Sequence, residues 1–278
     1  MNRATDYPVH RIEPRTSWPG LGLKELFHYR RLLAIFAWRD VKARYKQTVI
    51  GIAWVILQPL LTMAVFSVFF GRWLGVRSGD VPYPIFTFCA LGPWTYFVHS
   101  LTVASTSVVR HADLIRKTYF PRLLLPMASV LGGLVDLMTA LIVLIPLLAL
   151  HGIAPGLAIL ALPFFILLAA LSALAFGVWL AAVNVRFRDV NQALPFITQL
   201  GLFLTPVAYP ITIIPEAWRP LCWLNPMTGV IEGFRWALAD GPAPPLTMLG
   251  LSVGFMSLLL VAGCYWFRRE EQVFTDIV

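Results

Sequence analysis

The stretch LLLPMASVLGGLVDLMTALIVLIPLLAL, residues 123–150, holds one charged group, Asp136, in 28 residues. As a helix it would be about 42 Å long, enough to cross the ~30 Å of hydrocarbon in a bilayer. Five more runs of the same character lie at 51–74, 84–109, 156–183, 193–209 and 246–267. The whole chain agrees with them: 58% of its 278 residues are hydrophobic and only 13% are charged, well below the share in a soluble domain. A water-soluble fold could not hide that much apolar surface. The expected fold is an all-α membrane protein with six transmembrane helices.

Residues 1–20 carry Pro8, Pro14, Pro19 and several charges but no apolar core, which predicts an irregular leader and no cleaved signal peptide. Over 21–46, Leu23, Leu26, Phe27, Leu33 and Ala34 recur near helical spacing against Lys24, Arg30 and Arg31. Trp38 then precedes Arg39, Lys42, Arg44 and Lys46. That pattern predicts an amphipathic helix on the membrane surface, leaving 47–278 as the transmembrane domain. Between the fifth and sixth runs, 210–241 mixes Pro210, Pro215, Pro220 and Pro226 with Trp218, Trp223, Phe234 and Trp236. It is too broken to cross as one helix and too apolar for a free loop, so short re-entrant outer helices are expected there.

Lys and Arg set the orientation. With the amino terminus inside, ten fall before the first run, four between the second and third, two after the fourth and two at the end, 18 of 22 in all. Only Arg72, Arg77, Arg219 and Arg235 fall outside, so both termini are expected in the cytoplasm. The net charge of +8 is therefore a topological signal and not a nucleic-acid surface. Cys89, Cys222 and Cys264 have neither the number nor the spacing of a disulfide framework or metal cluster, and no metal is expected.

No Gly-Lys pair occurs, so the chain lacks a phosphate-binding P-loop and cannot hydrolyse ATP by that route; a His-Glu-x-x-His motif is absent too. Gly250-Leu-Ser252-Val-Gly254 has the form of a nucleophile elbow, but it lies inside an apolar run and reads as small-residue helix packing. Asp136 would cost about 2.5–3.5 kcal/mol at mid-membrane on insertion scales. It is either a proton or ion site, or a carboxylate bonded within the bundle or facing a wet cavity. A proton-driven pump would show a second such group and a partner charge, which favours the latter. A membrane-embedded transferase would need paired acidic groups at one face, and Glu216, Glu232, Asp240 and Asp189 form no recognisable pair.

The loop 110–121, Arg-His-Ala-Asp-Leu-Ile-Arg-Lys-Thr-Tyr-Phe-Pro, sets charges on both sides of Leu114 and Ile115. A short helix there would offer an apolar knob with a basic rim to a soluble partner; a loop that merely enforces topology fits equally. Aromatic residues gather at run ends: Phe66, Phe69, Phe70, Trp73, Trp94, Tyr96 and Phe97. They read as an interfacial belt or, for some, as a lining on which sugar rings could pack.

Arg-Tyr-Lys-Gln-Thr-Val-Ile-Gly-Ile-Ala-Trp (44–54), Gln58-Pro59-Leu60, Gly92-Pro93-Trp94, Tyr119-Phe120-Pro121, Arg188-Asp189-Val190, Thr205-Pro206 and Leu224-Asn225-Pro226 follow one another along the chain. In this order they resemble the membrane subunits of type-two ABC exporters, nearest to permeases for lipid-linked polysaccharides such as O antigen, capsule and teichoic acid. The resemblance covers about residues 20–270. The Gln-Thr-Val-Ile-Gly run, often missing in this form from the capsule branch, tilts it towards O antigen. It implies a homodimer in a bacterial inner membrane, paired with two copies of a soluble ATPase that binds ATP and Mg. It also implies a coupling helix at about 111–119, with His111, Asp113, Leu114, Ile115, Arg116, Lys117 and Tyr119 meeting the ATPase, and Arg30 and Arg31 as a second contact. By the same resemblance, a dimer-interface channel along the first and fifth spans has Trp54, Phe66, Phe70, Trp73, Trp94, Tyr96 and Tyr209 as candidate lining. Trp218, Trp223 and Phe234 would gate its outer mouth. A drug or small-lipid permease of the same superfamily is the nearest alternative.

Overall fold

A computed structural model describes residues 23–46, 51–187 and 189–277. The expected leader 1–20, residues 47–50 of the quoted motif and Arg188 lie outside the described residues. Among the described residues every regular element is helical: α1 (Leu23–His28), α2 (Arg30–Lys46), α3 (Gly51–Phe66), α4 (Tyr83–Arg110), α5 (Ala112–Lys117), α6 (Leu124–Leu150), α7 (Leu162–Arg186), α8 (Val190–Leu204), α9 (Arg219–Leu224), α10 (Pro226–Ala239) and α11 (Leu246–Ile277). A π-helical turn, Ser67–Trp73, prolongs α3, and a 3-10 turn, Leu157–Ala161, leads into α7.

Among the described residues, four stretches are long and apolar enough to cross a membrane: Ala53–Trp73, Leu124–Leu150, Leu157–Arg186 and Leu246–Glu271. With 28 residues α4 is as long as these but less apolar, and its position explains why. It is the central helix, packed by α3, α6, α7 and α10, with 19 residues buried. A helix surrounded by protein can carry Ser and Thr because their hydroxyls turn back onto its own carbonyls, as Ser107 does to Ala104 at 2.7 Å. Small residues let the neighbours close in: a Cβ on Gly177 of α7 would stand 2.8 Å from the Ala104 Cβ.

The elements depart from the expected bounds in four places, each for a local reason. The 21–46 helix is divided at Tyr29, and its second part does not stand alone. α2 lies along α6, with Gly132 so close that a Cβ there would be 3.5 Å from the Ala37 carbonyl oxygen. α8 stops at Leu204, short of 209, because Pro206 offers no N–H to continue the ladder and Thr205 is extended. At 15 residues α8 is only about 22 Å long. α11 runs beyond 267 to Ile277, since its polar end is tied to the bundle: Glu270 pairs with Arg186 at 2.7 Å and Glu271 accepts from the Arg122 N–H at 2.9 Å. The segment 210–241 consists of two 3-10 turns followed by α9 and α10, and α10 is almost wholly buried against α4, α7 and α11.

Local chemistry sets the ends of α10. Asn225 accepts from the Met227 N–H at 3.1 Å, Pro226 occupies the first turn, and Asp240 turns into the left-handed region at φ 54° so that the Gly241 N–H reaches the Arg235 carbonyl. The helix can sit deep because Gly233 lies under the Phe165 ring, where a Cβ would come within 2.1 Å. Gly233→Ala should therefore destabilise the bundle by about 1–3 kcal/mol, read as a lowered melting temperature of the purified protein. Gly250→Ala, with nothing within 4 Å, should leave it unchanged.

Candidate functional site

Three groups of residues carry chemistry. The first lies at the basic end of the bundle, where α5 follows α4. Ile115 turns inward, buried in a cluster with Leu26, Phe36, Val108 and Phe120, while Asp113, Arg116, Lys117 and Tyr119 face out, Tyr119 with 70% of its surface exposed. The apolar knob expected at Leu114 and Ile115 is thus half reversed. A six-residue helix needs an anchor, and Ile115 provides it, leaving a polar and aromatic outer face. Arg30 and Arg31 are exposed on α2, Arg30 over the Phe27 ring at 4.6 Å.

His111 joins this group to α2. Its Nδ1–H donates to the Ser107 carbonyl at 2.8 Å, which leaves Nε2 to accept from Arg39. Arg39 also covers Phe36, whose ring meets Phe120 edge-on at 5.6 Å. Burial, and then the nearby Arg39 and Arg110, hold the His111 pKa below its ordinary 6.5 although the Ser107 bond and Asp40 oppose the shift.

The second group is a groove of about 540 Å³ between α3, α4, α6 and α8. Asp136, halfway along α6, accepts from Arg44 and from the Tyr45 hydroxyl, both on α2, and Arg44 also reaches His99 of α4. Burial first, then the bond to Asp136, push the Tyr45 phenol up to about 12, so it stays a neutral donor. The rest of the wall sets Gln58, Thr62, Thr95 and Thr102 among apolar side chains such as Trp54, Val55, Leu91, Val98 and Leu202. Asp136 was legible as a group needing partners; that they come from α2 was not. Of the candidate lining residues, Trp54 and Trp73 are exposed, and Phe66 and Phe70 are half-buried and stack edge-on at 5.4 Å. Trp94 and Tyr96 are buried: Trp94 only borders the groove, and Tyr96 packs against α6 with its hydroxyl 3.2 Å from the Val130 carbonyl oxygen. Tyr209 donates to the Phe203 carbonyl at 2.7 Å.

The third group lies at the opposite end. Arg235, counted from sequence as an outer surface charge, is buried. It pairs with Glu232 at 2.7 Å, donates to the Val207 and Phe86 carbonyls at 2.9 and 3.3 Å, and stands 3.5 Å from the centre of the Phe86 ring. Tyr83 donates to the Ala208 carbonyl at 2.5 Å, and Asn225 to the Thr205 hydroxyl at 2.8 Å, so two of the quoted motifs clasp each other. Ser252 donates to the Trp223 carbonyl at 2.6 Å and packs beside Gly229, whereas a Cβ on Gly250 or Gly254 would meet nothing within 4 Å, so of the three small residues only the serine sits at a close helix contact. Trp223 and Phe234, candidate gate residues, are buried parts of this framework, and only Trp218 is exposed.

The His111 contact should respond to pH. A histidine whose pKa is depressed on folding stabilises fully above its ordinary 6.5, and that contribution is lost as the pH falls through the folded value. Protonation would turn Nε2 into a donor facing Arg39. Spin labels on α2 and α5 should therefore separate when the pH falls from about 8 to about 5, and His111→Gln should remove the response.

Comparison with known proteins gives this geometry a family. The profile described as ABC-2 type transporter matches residues 31–239. The chain is 31% identical over 254 residues to the O-antigen export system permease protein RfbA of Myxococcus xanthus, covering 90% of this chain and 96% of that protein. It is 27% identical over 250 residues to the RfbA of Klebsiella pneumoniae, covering 89% and 95%. With the polysialic acid transport protein KpsM of Escherichia coli it shares 23% over 247 residues, 86% and 93% of the two chains. Matched over most of its length, and with four strongly apolar helices, this multi-pass membrane protein belongs to the ABC-2 type transporter family.

Proposed function

We propose that the chain is the permease subunit of an ATP-driven exporter that moves lipid-linked polysaccharide, of O-antigen or capsule type, from the cytoplasmic to the outer face of a bacterial inner membrane. The groove between α3, α4, α6 and α8 carries this reading, because its wall has what a glycan needs: the exposed Trp54 ring for sugar faces, and an amide and hydroxyls for sugar hydroxyls. Relatives named as O-antigen permeases and a polysialic acid transport protein support the same cargo. Those names describe transport subunits, and ATP with Mg belongs on a separate ATPase.

The chain works as a homodimer with two ATPase copies, six crossings per subunit and both termini inside. Two helices support this. In Ala53–Trp73 only Pro59 is buried, and on α8 only Leu194 is, so the faces bearing Leu57, Leu61 and Val65 and bearing Phe196, Leu200 and Phe203 are free to meet a second copy. The groove would then lie beside the dimer axis as part of the channel, with Trp54, Trp73, Trp94, Phe66 and Phe70 near it and Tyr209 towards its outer end. Residues 210–241 re-enter from outside as its cap. Asp113, Arg116, Lys117 and Tyr119, with Arg30 and Arg31, face the ATPase. A push on α5 passes through His111 to Arg39, along α2, and through Arg44 and Tyr45 to Asp136 at the groove wall.

Deleting the gene should strand lipid-linked polymer on the inner leaflet, seen as polysaccharide that surface antibodies miss and lysis releases; normal surface polysaccharide would refute the reading. Arg116→Glu with Lys117→Glu should reduce copurification of the ATPase or its polymer-linked turnover by about tenfold, as expected when like charges replace a matched pair at an interface.

A further inference from the structure

A second groove adjoins the first on the other side of the Asp136 bridge. It lies between α2, α3 and α6, has a volume of about 550 Å³, and is lined by Trp38, Val41, Tyr45, Val55, Val135 and Thr139, with Lys42 and Lys46 on its α2 side. The volume falls in the range of sites for drug-sized and lipid ligands, about 300–1,000 Å³. Val55 lines both grooves, and the Tyr45–Asp136–Arg44 contact separates them. The two differ in polarity: one has an apolar and aromatic wall with two ammonium groups at its edge, and the other sets Gln58, Thr62, Thr95, Thr102 and Asp136 into a wall that is otherwise apolar.

Lys42 and Lys46 sit one helical turn apart on α2, both are exposed, and among the described residues no acidic group pairs with either. The other cations nearby are committed: Arg44 to Asp136, and Arg39 to Asp40 and His111. Two uncommitted ammonium groups beside an apolar groove complement a lipid phosphate whose chain lies in that groove.

We propose that this pair of grooves binds the junction of the lipid-linked polymer. The hydrocarbon chain lies on Val41, Val55, Val135 and Thr139, the phosphate or diphosphate sits on Lys42 and Lys46, and the first sugars cross the Asp136–Tyr45 bridge onto Trp54 and the hydroxyls beyond it. The inference rests on the export reading and names the part of the substrate that reading leaves open. A bulk phospholipid would fill the apolar groove and leave the adjoining polar, aromatic one unused. An amphiphile of chain, phosphate and glycan uses both.

The test uses the permease with its ATPase in phosphatidylcholine vesicles, photolabelled with a polyprenyl diphosphate that carries a diazirine on its chain. Phosphatidylglycerol with the same diazirine is the comparison probe. Label from the polyprenyl diphosphate should map to Val55, Val135 and Thr139. It should fall by about tenfold or more in Lys42→Gln with Lys46→Gln, two exposed positions that do not threaten folding. Val135→Trp, filling the groove, should also remove it while the ATPase still copurifies. Label spread over α8, or unaffected by both variants, overturns the assignment. Equal lysine-dependent labelling by phosphatidylglycerol also overturns it, in favour of a site for bulk anionic lipid. Deletion cells test the export reading separately: polymer stranded there, together with labelling blind to both variants, removes the groove assignment alone.

Discussion

A carboxylate halfway along an apolar helix needs partners, and Asp136 takes two from one element, Arg44 and Tyr45 of α2. The pair is partly screened, with 27% of the Arg44 side chain and 16% of that of Asp136 exposed to the groove. Its worth therefore falls below the roughly 3–5 kcal/mol lost when a fully buried pair is broken. Position matters more than strength here. The contact fastens the far end of α2 to the middle of α6, while Arg39 and Phe36 fasten the near part to His111 and Phe120. One helix thus joins the outward face of α5 to the wall of a groove.

Around that connection the molecule divides into a tight part and an open part. α4, α7 and α10 are packed through glycines that leave no room for a Cβ, and the Arg235 cage holds α10 to the first turn of α4 and to residues 205–208. α3 and α8 bury little and present rows of large apolar side chains. A subunit that must let a polymer pass along a partner's surface needs both: a framework that keeps its shape and a face whose apolar cover comes from another molecule or from lipid. At the basic end α11 is held by ion pairs to Glu25 of α1 and Arg186 of α7 and by the Arg122 N–H just before α6, so the exposed face of α5 rests on the framework and not on a loose tail.

Much of this was legible in the chain. Long apolar runs give long helices whatever their neighbours, and Asn225-Pro226 marks a helix start by its own chemistry. Deviations arose where tertiary contacts decide. Arg235 counts from sequence as an outer charge, but it is buried because Glu232, one turn earlier, and the carbonyls of Val207 and Phe86 satisfy it. Ile115 and Tyr96 look available in sequence and are anchors in the fold. The groove was hidden for the same reason. Its residues come from α2, α3, α4, α6 and α8, and no local pattern relates Arg44 to Asp136 across 92 positions.

The central claim is that α2 transmits force to the groove through Asp136, and a double-mutant cycle on reconstituted exporter tests it most directly. The quantity is polymer moved outward per ATP hydrolysed by the wild type, Asp136→Asn, Arg44→Gln and the double variant. The account predicts that each single variant still assembles and hydrolyses ATP but moves little polymer, and that the double variant is no worse than the poorer single one. Unimpaired transport in Asp136→Asn, or losses that simply add in the double variant, would contradict it.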